Sequence, residues 1–214
     1  MKSYIKVFIF FVFIACQNCN QTGVKNDRNS IKASNDTLFQ QGLIKSKEGD
    51  FQTAIVLFTK SIEAEQNLEQ TYYNRGCAKS ELQDLMGSIS DFNKAIKINP
   101  KFAHAYNNRG SSKSDLGDNN GAISDFNKAI GIDSTFAVAY YNRGCVKAIM
   151  KNYSGSIIDF SRAIELKQNY PTAYYNRGMS KLRLGDKKSA CEDWSRAGEL
   201  GLPQAYGSIK EFCN

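Results

Sequence analysis

From residue 35 onward, small, aromatic and polar side chains recur at fixed intervals along the chain. One column is always glycine, at intervals of 34 residues: Gly42, Gly76, Gly110, Gly144 and Gly178. A second column, sixteen residues further on, is always aromatic: Phe58, Phe92, Phe126, Phe160 and Trp194. Small residues stand four before and three after each aromatic residue, so all three lie on one stripe of a helix. The pattern predicts that this helix packs against an earlier one at the glycine.

The turn between the two predicted helices also has its own column. If the glycine is taken as position 8, position 16 holds a residue that can cap a helix by accepting from its first free N–H groups. These residues are Asp50, Asp84, Asp118, Asn152 and Asp186. Glycine precedes the cap in three of the repeats. Each repeat is therefore predicted to be a helix, a tight turn and a capped second helix.

A fixed period of 34 residues with these columns resembles the tetratricopeptide repeat. The repeats are residues 35–68, 69–102, 103–136, 137–170 and 171–204. The resemblance implies an all-α fold, a right-handed α-solenoid of five helical hairpins. Residues 205–214 are predicted to form a C-terminal capping helix, because the last repeat of such an array needs a cover for its apolar face.

Two columns depart from the family's usual apolar residues and change together. Position 7 is Arg75, Arg109, Arg143 and Arg177, and position 23 in the same repeats is Asp91, Asp125, Asp159 and Asp193. In the first repeat, Gln41 and Leu57 replace both members. We therefore predict a structural ion pair across each of the other four hairpins. Position 11 is lysine in all five repeats, and its charge is expected to stay in water.

The resemblance also implies a concave groove lined by positions 2, 5, 9, 12 and 13 of the first helices. The predicted peptide-binding residues include a row of exposed rings at position 5, one in most repeats. The candidates are Phe39, Tyr73, Asn107, Tyr141 and Tyr175 at position 5, Cys77, Ser111, Cys145 and Met179 at position 9, and His104 at position 2. The alternative is that these side chains only cover the seam between repeats. The asparagines at position 6 are expected to brace neighbouring backbone or to contact an extended ligand.

The beginning of the chain differs from the repeats. Lys2 and Lys6 precede an unbroken apolar run from Val7 to Ala15, a pattern typical of a signal peptide over residues 1–15. Residues 13–16 resemble the lipobox of bacterial lipoproteins, with Phe13 where leucine is usual, which implies lipidation of Cys16. Residues 16–34 are polar and are predicted to be a disordered, lipid-anchored tether. The alternative is ordinary signal cleavage and a soluble secreted or periplasmic protein.

The remaining reactive residues indicate a fold without catalysis. Cys191 and Cys213 resemble the terminal pair of secreted repeat proteins and could form a disulfide; alternatively, Cys191 only replaces the isoleucine of its column. The cysteine spacing predicts no metal site, we expect no cofactor, and His104 is the only histidine. The net charge of +7 is spread along the chain, and no nucleic acid is expected as partner.

Together these features predict a non-catalytic scaffold that binds a protein or peptide in its concave groove. The expected location is the bacterial envelope, with a lipid anchor in the membrane, on the periplasmic side or the surface of the outer membrane. The alternative functions are a structural or assembly component of an envelope complex and a secreted adaptor. The sequence names no partner.

Overall fold

In the computed structural model, residues 38–65 and 67–213 are described, and they contain eleven α-helices and no β-strand. The predicted signal peptide, the tether and Cys16 lie outside the described residues. The helices are α1 (Leu38–Lys47), α2 (Phe51–Glu63), α3 (Leu68–Glu81), α4 (Leu85–Ile98), α5 (Ala103–Asp115), α6 (Asn119–Ile132), α7 (Ala137–Ile149), α8 (Tyr153–Leu166), α9 (Pro171–Arg183), α10 (Lys187–Glu199) and α11 (Gln204–Phe212).

The first ten helices form five hairpins that stack one after another. The two helices of each hairpin pack together, and the second helix of a hairpin also packs on the first helix of the next. The first helices of neighbouring hairpins contact each other as well, and α11 packs on α10. The predicted all-α solenoid of five hairpins is therefore confirmed.

The glycine and aromatic columns meet inside every hairpin. A Cβ atom at Gly110 would lie 2.9 Å from Cε1 of Phe126 and 3.2 Å from the carbonyl oxygen of Ala122. In the last repeat, a Cβ at Gly178 would lie 2.8 Å from Nε1 of Trp194. The aromatic residues of this column have no exposed surface. The two columns recur together because the ring occupies the space that a side chain at the glycine would need.

The predicted helix caps are present at all five turns. Oδ1 of Asp118, for example, accepts from the backbone N–H of Gly121 at 2.9 Å, and the equivalent bond is found in the other four repeats. The residue before each cap has a positive φ even where it is not glycine, as at Gln83 (φ 63°) and Lys151 (φ 61°). The turn geometry is thus common to all repeats, although only three of them use glycine for it.

The capping helix α11 closes the apolar end of the last hairpin. Phe212 lies against Trp194 with 5.7 Å between ring centroids, and Ala205 is completely buried. Cys191 of α10 and Cys213, which follows α11, are joined by a disulfide with an S–S distance of 2.05 Å. A disulfide that closes a loop of this size can add about 3 kcal/mol to stability by restricting the unfolded chain.

Gly110→Ala should test the packing of the glycine column. We expect a loss of about 1–3 kcal/mol in the free energy of unfolding, because the new methyl group must displace Phe126 or backbone. The measurement is urea denaturation followed by circular dichroism.

Gly131→Ala in α6 is the matched control, because no heavy atom lies within 4 Å of the place that its new methyl group would take. Alanine is a better helix former than glycine by roughly 0.5–1 kcal/mol, so this variant should be as stable as the wild type or more so. Equal stability of the two variants would contradict the packing account.

Candidate functional site

Each arginine of position 7 holds the aspartate of its own hairpin through two parallel hydrogen bonds. In the second repeat, Arg75 donates from Nε and Nη2 to the two carboxylate oxygens of Asp91 at 2.8 and 2.7 Å. Corresponding bonds of 2.6 to 2.9 Å join the other three pairs: Arg109 to Asp125, Arg143 to Asp159 and Arg177 to Asp193. The structure therefore brings together the four pairs that the sequence columns suggested.

The third guanidinium nitrogen of each arginine reaches back to the preceding hairpin. Nη1 of Arg109 donates to Oδ1 of Asn93 at 2.6 Å, and Nη1 of Arg143 donates to Oδ1 of Asn127 at 2.6 Å. Thr59 and Ser161 accept in the same way from the other two arginines. The arginine thus links two repeats, whereas the first described hairpin has Gln41 at this position.

In repeats two to five the lysines of position 11 contact the same aspartates, which corrects the expectation that their charges stay in water. Lys45 of the first repeat pairs with the exposed Glu48 instead. Nζ of Lys113 lies 2.8 Å from Oδ2 of Asp125, and the other three repeats have distances of 2.7 to 2.8 Å. The side chain of Asp125 is only 4% exposed, and those of Arg109 and Lys113 are 16% and 23% exposed. A buried carboxylate with two partly exposed cations is a structural cluster, because a buried charge needs compensation.

The predicted row of exposed rings at position 5 is wrong for two of its members, Phe39 and Tyr73, because both are buried. Tyr73 has no exposed surface, because its ring packs on Phe92 of its own hairpin and on Phe102 at the start of the next. The other predicted groove residues that are buried are Phe39, Cys77, Asn107, Ser111 and Cys145. His104, Tyr141, Tyr175 and Met179 remain partly exposed. The alternative reading of these columns, as the seam between repeats, fits the buried residues.

The position 6 asparagines connect side chains of neighbouring repeats. Nδ2 of Asn108 donates to the hydroxyl of Tyr73 at 3.0 Å, and Nδ2 of Asn176 donates to the hydroxyl of Tyr141 at 3.0 Å. Nδ2 of Asn142 makes the equivalent bond to the side chain of Asn107. The ring at position 5 of the first repeat is a phenylalanine without a hydroxyl, and Asn74 donates to a backbone carbonyl of its own helix instead. Three of these four asparagines therefore join neighbouring repeats, and none of the four bonds described involves a ligand-facing role.

The central repeat has a different arrangement on its first helix. Where other repeats have a ring at position 5, Asn107 is buried, and His104 packs against Phe136 with 4.7 Å between ring centroids. Burial lowers the pKa of His104, and the nearby charge of Asp133 opposes this shift.

In the fourth repeat, burial raises the pKa of Cys145 to about 12, so its thiol stays protonated at neutral pH and is a poor nucleophile.

The surface left on the first helices includes positions 2 and 12; position 2 differs in every repeat, whereas position 12 is serine in the first three repeats and changes only in the last two. At least part of each of these side chains is exposed in repeats two to five: Gln70, His104, Val138 and Thr172 at position 2, and Ser80, Ser114, Ala148 and Leu182 at position 12. Among residues 38–65 and 67–213, no group of three metal-ligating side chains comes together. Within the same part of the chain, no helix has the length and apolarity needed to cross a bilayer.

Comparison with known proteins identifies the repeats. The tetratricopeptide repeat family model matches residues 69–102, 103–136 and 137–170, which are the second, third and fourth hairpins. These boundaries coincide with those that the glycine spacing predicts. No curated protein sequence is significantly similar to the chain.

Solved structures of tetratricopeptide-repeat proteins have the same fold. A crystal structure of MamA is 25% identical, with a TM-score of 0.69, over 77% of this chain and 96% of that one. MamA from Desulfovibrio magneticus RS-1 is 20% identical, with a TM-score of 0.69, over 78% of this chain and 97% of that one. YrrB, described as a repeat protein with an unusual peptide-binding site, is 16% identical, with a TM-score of 0.65, over 81% and 90% of the two chains.

A double-mutant cycle on Arg109 and Asp125 should measure the ion cluster. Asp125→Leu should cost about 1–3 kcal/mol, because two partly exposed cations lose their common partner. Arg109→Leu should cost less, because Lys113 still compensates the aspartate at 2.8 Å. The double variant should be more stable than the sum of the single losses predicts, and urea denaturation gives the three values.

The exposed pair Arg162–Glu165 of α8 is the matched control, with side chains that are 45% and 61% exposed. Its cycle should give no measurable coupling, because water screens both charges. Strict additivity at Arg109 and Asp125 would refute a stabilising cluster.

Proposed function

We propose that the chain is a non-catalytic scaffold that binds a protein or peptide on the open face of its first helices. The observation that carries this proposal is a comparison among the repeats themselves. The arginine, aspartate and lysine columns are identical in four repeats, and their side chains bond each other. On the open face, position 2 is different in every repeat, and position 12 changes from serine in the first three repeats to Ala148 and Leu182 in the last two. A surface that varies while the framework repeats suits one particular, non-repeating ligand.

The geometry of the first helices supports the binding of an extended or helical segment. Neighbouring first helices contact each other from α1 to α9, so the open face continues from one repeat to the next. With helix spacings of roughly 10 Å, a ligand could contact several repeats at once. The partly exposed rings of Tyr141 and Tyr175 add apolar area close to this face.

The peptide-binding site named for the YrrB structure supports the same kind of partner for this chain. The fold is common to both proteins, and the residues of the face come from this sequence alone. Because the aromatic and asparagine columns are occupied in joining repeats, recognition falls to positions 2 and 12 and to the exposed parts of Tyr141, Tyr175 and Met179.

For the location we propose the bacterial envelope, with Cys16 as a lipid anchor. The support is the apolar segment before Cys16 and the disulfide between Cys191 and Cys213, since stable disulfides are typical of oxidising compartments. In that setting the repeats would present their open face to another envelope or secreted protein.

A pair of matched substitutions in the fourth repeat tests the binding face. Val138→Glu places a carboxylate on the open face of α7, whereas Ile158→Glu makes the same change of charge on α8 at a side chain that is 68% exposed. We expect the wild type and Ile158→Glu to capture the same proteins from an envelope extract, and Val138→Glu to lose them. Quantitative mass spectrometry of the captured proteins, with melting curves of all three chains, is the measurement.

Equal capture by all three chains would contradict binding through the first helices. Loss of capture only in Ile158→Glu would place the interaction on the second helices instead. The melting temperature of Val138→Glu must be unchanged for its loss of capture to report on binding. Thr172→Glu, at the same position of the next repeat, provides a second variant on the same face.

A further inference from the structure

A stripe of exposed apolar side chains follows the turns that join the two helices of each hairpin. Position 14 is Leu82, Leu116, Met150 and Leu184 in repeats two to five, with exposed fractions of 45%, 47%, 44% and 53%. We call these four residues the turn stripe. Because the hairpins stack with their first helices side by side, all of these turns lie on the same edge of the solenoid.

The charges beside the turn stripe change sign halfway along it. The turns of the second and third repeats, residues 81–86 and 115–120, each contain two acidic residues and no basic one: Glu81, Asp84, Asp115 and Asp118. In the fourth repeat, residues 149–154 contain Lys151 as their only charge. In the fifth repeat, residues 183–188 contain three basic residues and Asp186. The edge is thus acidic at its second and third turns and basic at its fourth and fifth.

An edge with this order of charges is complementary to itself. We propose that the turn stripe pairs with the turn stripe of a second copy of the chain in an antiparallel, two-fold arrangement. A two-fold axis between the third and fourth turns would lay Leu116 of one copy beside Met150 of the other. The same rotation would place Asp115 of each copy opposite the basic turns of its partner.

Two physical arguments favour a second copy as the occupant. A two-fold interface uses the same patch on both partners, so each acidic half necessarily meets a basic half. The apolar side chains between them would leave water together, which gives the contact its driving force. A foreign partner would have to carry the same charges in the reverse order, which a second copy does by symmetry alone.

The area of the turn stripe indicates a weak complex. Four side chains that are each about half exposed provide a few hundred Å² at most, which is small for a stable dimer. We therefore expect dissociation constants on the order of micromolar or weaker. Because the paired charges would be partly exposed, added salt should weaken the association further.

Two charge-reversal variants and their mixture test the proposal. The first variant is Glu81→Lys with Asp115→Lys, and the second is Lys151→Glu with Arg183→Glu. None of these substitutions removes a helix-capping residue, so the fold should be retained, which melting curves will check. Sedimentation of the full chain over a range of concentrations gives the association constants. All samples keep residues 1–37 unchanged, so association through that segment would persist equally in every one.

We expect the wild type to form dimers, and each variant alone to associate at least about tenfold more weakly. In the first variant the acidic half becomes neutral and no longer attracts the basic half, and in the second variant the basic half becomes slightly acidic and faces an acidic half. Mixing the two variants should restore part of the association, because the unchanged basic half of the first variant then meets the unchanged acidic half of the second. A wild type that stays monomeric, or variants that associate as strongly as the wild type, would overturn the proposal. A mixture that fails to restore association would overturn it as well.

Discussion

Stacking of the hairpins depends on a buried carboxylate that needs two cations. The aspartate at position 23 is almost completely buried, and the arginine and lysine of the facing helix supply its compensating charge. The same arginine also donates to the second helix of the preceding hairpin. One arginine side chain therefore compensates the buried aspartate of its own hairpin and also forms a hydrogen bond to the preceding hairpin. Since a single hairpin cannot bury its apolar side alone, this link helps to make the array cooperative.

A second set of contacts, made by the residue before each arginine, adds to the same effect. Asparagines at position 6 reach back to a tyrosine, or to Asn107, in the repeat before. These bonds and the stacked rings occupy the polar and aromatic residues that at first suggested a binding groove. What remains for a ligand is the varied part of the surface. For this reason the proposed function rests on positions that differ between repeats, whereas the repeated columns explain the fold.

Much of the fold could be predicted from the sequence, because each repeat serves as a comparison for the others. The constant spacing of glycine and aromatic residues predicted the hairpins, and the joint change to Gln41 and Leu57 pointed to the pairing of arginine with aspartate. The partner of Nη1 could not be predicted in this way, because position 25 is Thr59, Asn93, Asn127 or Ser161. The hydrogen bond from Nη1 to position 25 is present in all four cases, but the residue type at that position varies and so gives no sequence signal.

Burial of Tyr73 was also beyond sequence reasoning, for a different reason. Its ring lies between Phe92 and Phe102, and the second of these belongs to the loop between repeats, whose path is set by the packing of the next hairpin. The role of the position 11 lysines was missed because a long side chain can either stay in water or fold back to a carboxylate. In the structure the buried aspartate decides between these two options.

The central claim is that arginine couples each hairpin to the one before it. Trp194 is the only tryptophan and lies in the last repeat, so its fluorescence reports unfolding there, while circular dichroism reports all the helices. The account predicts that the two urea transitions coincide in the wild type and separate in Arg143→Leu, which cuts the link between the third and fourth repeats. Transitions that still coincide in Arg143→Leu, at an unchanged midpoint, would contradict it.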